Sequence, residues 1–139
     1  SGSASHAYLL MAGTTNHMQS HIVNGTVTVY YTDGTSEVLN LINPENWAPI
    51  EQDFYLDNYA FSSKQPRFYR VALKTGTVSR NLGDEFNINT DEVYNRDIDG
   101  GAANILDIPL NAQKELSKLK VKTIANEVII GLMGITLLK

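Results

Sequence analysis

Two histidines, His17 and His21, stand four residues apart. On a helix that spacing turns both imidazoles to one face, an arrangement suited to zinc. Here residues 13–24 are rich in Thr, Asn, His, Gln and Ser and read as a loop, and no Glu follows His17. The pair is therefore read as loop histidines rather than ligands. A second pattern is Asn95-Arg96-Asp97-Ile98-Asp99-Gly100. Side-chain oxygens at alternate positions followed by Gly match the opening of a calcium loop. Such a loop closes on a bidentate Glu, but Leu106 stands at that position and Asp107 comes one residue late. The run reads as an Asp-Gly-Gly turn feeding a strand, with Asn95, Asp97 and Asp99 as weak calcium candidates. No other cofactor is implied.

Acid–base catalysis has a poor footing. Carboxylates abound between positions 84 and 99: Asp84, Glu85, Asp91, Glu92, Asp97 and Asp99. A glycosidase needs two carboxyl groups facing across a sugar, one of them held protonated by an apolar setting. None of these acids has apolar flanks of that kind, so the stretch reads as a solvated acidic loop. No G-x-S-x-G nucleophile elbow occurs. No catalytic residue is expected within the domain. The alternative in this class is that the acidic loop lends residues to an active site at a domain boundary.

Binding has a better candidate. The connection 43–63 carries Trp47, Phe54, Tyr55, Tyr59 and Phe61 among Asn46, Gln52, Asp53, Asp57 and Asn58. Sugars offer C–H faces that stack on rings and hydroxyls that need planar polar partners. The expected ligand contacts are Asn46, Trp47, Tyr55, Asp57 and Tyr59, with Arg67 as a further polar partner. The competing reading is that the same rings plug one end of the fold or dock on a neighbouring domain, as loop aromatics commonly do.

The elements that would position these groups are strands. Thr26-Val27-Thr28-Val29-Tyr30-Tyr31 alternates, with Val27, Val29 and Tyr31 on one face. Asp33-Gly34 follows, then a second run over 37–42, which predicts a hairpin with a type I′ turn. Residues 7–12 form a short apolar run. Residues 67–74 alternate with Tyr69, Val71 and Leu73 on one side. Leu106, Ile108 and Leu110 alternate in a strand whose Pro109 belongs at an edge or a strand end. Leu119, Val121 and Thr123 oppose a solvated face of Lys118, Lys120 and Lys122. Residues 128–138 are apolar on both faces and are expected to lie centrally in a sheet. No helix beyond a single turn near 112–119 is expected. Short strands joined by Gly, Asn and Asp turns predict an all-β antiparallel sandwich.

The chain has 139 residues, enough for one domain with one core. Residues 1–5 read as a linker or a cloning scar, and 6–139 as a single β-sandwich domain. The net charge of −4 lacks the basic face that phosphate backbones require, so no nucleic-acid partner is expected. The absence of cysteine excludes a disulfide framework and thiolate metal sites. The apolar stretch 128–138 is too short for a membrane-spanning helix.

Three stretches carry a resemblance to a known family. They are Gly25-Thr26-Val27-Thr28-Val29-Tyr30-Tyr31-Thr32-Asp33-Gly34-Thr35 with Leu39-Asn40-Leu41, then Asn43-Pro44-Glu45-Asn46-Trp47, and the ending from Leu116 through Lys118-Leu119-Lys120-Val121-Lys122-Thr123 to Val128-Ile129-Ile130-Gly131-Leu132. Together they resemble the galactose-binding-like accessory C-terminal domain of large glycoside-hydrolase-like proteins of gut Bacteroidetes. The resemblance implies a jelly-roll sandwich, no catalysis in the domain itself, and an extracytoplasmic location. It also implies a carbohydrate partner, a catalytic domain of the same polypeptide as partner, or both. Its motifs are structural, and no family binding residue is carried over.

Overall fold

The computed structural model describes residues 2–14, 21–51, 67–80, 98–125 and 127–139. Its strands are β1 (His6–Thr14), β2 (Val23–Tyr31), β3 (Ser36–Ile42), β4 (Arg70–Ala72), β5 (Val78–Ser79), β6 (Ala102–Pro109), β7 (Leu116–Thr123) and β8 (Ile129–Leu138). They form two antiparallel sheets, one of five strands in the order β5-β4-β6-β1-β8 and one of three in the order β3-β2-β7. This is the expected all-β sandwich. Alternation does the work: Ala7, Leu9 and Met11 of β1 and Leu106 and Ile108 of β6 meet Val27, Val29, Tyr31 and Leu41 of the facing sheet in one core.

The expected hairpin joins β2 to β3, with Tyr30 opposite Ser36. Its turn differs from the expected type. Gly34 donates to the Tyr31 carbonyl and Tyr31 N–H to that of Thr35, and Gly34 alone in the turn has positive φ, at 87°. The geometry is therefore a three-residue loop with a left-handed glycine closing it, rather than a type I′ pair. Asp33 stabilises this conformation: its Oδ1 accepts from the Thr35 hydroxyl at 2.6 Å and the Thr35 N–H at 2.9 Å, and Lys114 Nζ lies 3.0 Å from Oδ2.

Those two Thr35 hydrogen bonds, followed by Lys114, hold the Asp33 carboxyl down at about 2, against an ordinary 3.8. A depressed carboxyl stabilises the fold above its unfolded value, and that contribution is lost as pH falls through the folded one. The thermal-midpoint gap between the native chain and Asp33→Asn is thus expected to narrow as pH falls from about 4 to about 2. Scanning calorimetry across that window checks it, and a constant gap would refute it.

On β4 the inward face is Arg70 and Ala72, while Tyr69 and Leu73 on the other side are exposed. Arg70 is tolerated inside because its Nη2 donates to the carbonyls of Pro49 at 2.8 Å and Ala102 at 3.0 Å. The apolar run at the end of the chain, β8, is an edge strand among the described residues rather than a central one. Pro109 ends β6, where its missing N–H breaks no ladder bond within the strand. Residues 2–5, read as a linker, lie against the domain: Gly2 bridges Leu116, Ala4 is buried, and Ser5 N–H donates to Leu138 O at 2.7 Å.

Candidate functional site

The residues singled out from the sequence fall into three groups. Trp47 is 2% exposed and belongs to the core. Its indole N–H donates to Asn24 Oδ1 at 3.0 Å, and the same oxygen accepts the Asn43 N–H at 3.0 Å. The tryptophan therefore plugs the sandwich and turns no ring face to solvent. The rest of segment 47–51 is stitched down around it, with Asn104 Nδ2 donating to Ala48 O at 2.8 Å and Ile50 N–H to Gly13 O at 2.7 Å. Asn24, formally a glycosylation acceptor in Asn24-Gly25-Thr26, is fully buried and committed to these contacts.

Tyr55, Asp57 and Tyr59 lie outside the described residues, as do His17, Asn95 and Asp97. Asp99 is exposed and paired with Lys74, in a turn where Gly101 N–H reaches Ile98 O and Gly100 has a φ of 80°. That is the expected Asp-Gly-Gly turn. His21 lies 3.6 Å from Glu45. Among the described residues no group of three or more His, Asp or Glu side chains could hold a metal ion.

Asn46 is different, because it lines a cleft. Asn46 holds the turn after β3, its Oδ1 accepting from Ile42 N–H at 2.9 Å and its Nδ2 donating to Asn40 O at 2.7 Å. It then lines a depression of about 360 Å³ with Tyr8, Leu39, Phe68, Tyr69, Arg80, Ile105, Leu106 and Asp107. Arg67 directly precedes Phe68 in the strand-entry segment. The opening has a topological cause. β4 pairs with β6 only at 102–104, and Ile105 N–H reaches Tyr69 O at 2.9 Å. Beyond that point the described residues give β6 a neighbour on the β1 side alone. Side chains from both faces of the sheet then meet at the gap.

The cleft combines flat rings with ions. Tyr8 stands opposite Asp107 across β1 and β6. His6 stacks on Tyr8 with ring centroids 5.9 Å apart, and its Nδ1 lies 2.7 Å from Asp107 Oδ1. The Arg80 guanidinium sits 4.1 Å from the Tyr69 ring centre. On the other side of Tyr8 a second depression, of about 350 Å³, runs over Leu10, Val71, Ile105, Gly134 and Thr136. No family model, curated protein or solved structure matches this chain.

Such a surface can stack a pyranose and hydrogen-bond its hydroxyls. Of the residues singled out from the sequence Asn46 lines the cleft, whereas Tyr8, Tyr69, Arg80 and Asp107 were not among them. Tyr8 sits in an apolar run and Asp107 in a strand of Leu and Ile, so each looked like an ordinary strand residue. Only the β1–β6 register brings them together.

Proposed function

We propose that this chain is a noncatalytic accessory β-sandwich domain of a secreted carbohydrate-active protein, and that it captures glycans in the Tyr8–Tyr69 cleft. The jelly-roll, galactose-binding-like topology and the extracytoplasmic setting belong to the same proposal and rest on the sequence resemblance. The observation that carries the reading is one surface bearing Tyr8, Tyr69, Arg80, Asp107 and Asn46. Rings supply stacking area, the carboxylate and guanidinium supply directional partners for hydroxyls, and Asn46 fixes the adjoining turn. Held by a tether, such a site raises the local concentration of substrate for an enzyme. The test is calorimetric titration with plant and host oligosaccharides. A saturable heat should weaken by about tenfold or more in Asp107→Ala and in Tyr69→Ala, the loss expected for a charge-assisted hydrogen bond or a central ring. Binding untouched by either change would sink the cleft as the site.

A second reading is that the domain docks on a catalytic module and holds no ligand. It is favoured by Arg80 already covering Tyr69 and by the two backbone hydrogen bonds that occupy the Asn46 amide. Silence with every sugar would favour it. The third reading, a loan of acids to a boundary active site, falls on residues 84–97, outside the described residues, and on Asp99.

A further inference from the structure

Among the described residues β8 is the last strand of its sheet and pairs with β1 on one side. Soluble proteins usually blunt such edges with Lys, Pro, an inward charge or a covering loop. The ten residues of Ile129–Leu138 include no charge and no proline. The register with β1 assigns their faces. Ile130, Leu132, Ile135 and Leu137 stand opposite Gly13, Met11, Leu9 and Ala7, all buried, so they point to the interior side. Leu132, Ile135 and Leu137 nevertheless remain 43%, 45% and 38% exposed. Among the described residues the facing sheet ends at β7.

The strand is complementary to itself. Its pairing with β1 slips at Met133, where Leu10 meets Gly134 and Met11 meets Leu132. A two-fold antiparallel pairing that sets Met133 against Gly134 of a second copy puts Leu132 against Ile135 and Ile130 against Leu137. Inward residues then meet inward residues, and outward Ile129 and Gly131 meet outward Leu138 and Thr136. A slip by one residue would set inward against outward along the whole strand. The flanking charges are compatible with antiparallel self-pairing. Glu127 precedes the strand and Lys139 follows it. In this register Lys139 of one copy stands opposite Val128 of the other, one position from Glu127, so the strand ends bring opposite charges near each other rather than like ones.

We propose that β8 pairs with β8 of a second copy of this chain, joining the two five-stranded sheets into one and covering Leu132, Ile135 and Leu137. Such a contact is closed and isologous, unlike an open-ended edge stack. Sedimentation velocity on the chain is expected to show a species of twice the 15.4 kDa chain mass. Ile135→Lys, at an exposed position, should remain folded by circular dichroism and sediment as a monomer. The register is read separately, since the chain has no cysteine of its own. Mixed Leu132→Cys and Ile135→Cys copies should cross-link under mild oxidation much faster than either copy alone. A monomer at up to about 100 µM would overturn the proposal. So would a dimer with no mixed cross-link, an open-ended polymer, or a monomer that takes up an added apolar peptide strand instead.

Discussion

Gly13→Ala is expected to destabilise the fold by about 3 kcal/mol, at the upper end of the cost of overpacking. A Cβ at Gly13 would lie 2.2 Å from the Ile129 carbonyl oxygen and 3.2 Å from Ile130 Cα. Both neighbours are backbone atoms of β8, so relief requires moving the strand rather than turning a side chain. Gly13 has no positive φ that would call for glycine; its role is close approach alone. The matched control is Gly134→Ala, where an added Cβ meets nothing within 4 Å. Thermal unfolding should show Gly13→Ala lower by roughly 10 °C and Gly134→Ala within a few degrees of the native chain. Equal midpoints for the two would contradict the β1–β8 packing.

Trp47→Ala is expected to cost about 4 kcal/mol, the range for removing a fully buried ring. The loss combines a cavity in the core with a released Asn24 oxygen. Asn24→Ala attacks the same node from the other side and leaves the indole N–H and the Asn43 N–H to find new acceptors inside the protein. Its expected cost is roughly 3 kcal/mol, since each stranded buried donor carries a desolvation penalty. Trp47 fluorescence in the native chain should be blue-shifted and shielded from quenchers, and it should not respond to sugars. Denaturant titration of the two variants, followed by circular dichroism, checks the energies. Near-native stability in Trp47→Ala would contradict its place in the core.

Local pattern carried much of this architecture. β2 was legible because Val27, Val29 and Tyr31 alternate with Thr26, Thr28 and Tyr30, and β7 because its lysines alternate with Leu119 and Val121. The turn type at Asp33-Gly34 was not legible. The dipeptide fits two loop geometries, and which one forms depends on where Tyr31 and Thr35 pair. β8 was misjudged for a related reason: an apolar strand reads as buried, but burial depends on what faces it, and among the described residues the opposite sheet ends at β7. Trp47 was ambiguous because its acceptor, Asn24, lies 23 residues back in the chain, at the start of the β2–β3 hairpin. The cleft was the least legible feature. Tyr8 and Asp107 become neighbours only through strand pairing, and no spacing rule connects positions so distant.

The central claim is that glycans bind between Tyr8 and Tyr69. Its most direct test is a nuclear magnetic resonance titration of the isotope-labelled chain with the oligosaccharides that give a calorimetric signal. The expected result is a saturable set of amide and ring shifts confined to Tyr8, Asn46, Phe68, Tyr69, Arg80, Ile105 and Asp107, with Trp47 unmoved. Shifts that instead cluster elsewhere, or an unchanged spectrum with every sugar, would contradict it.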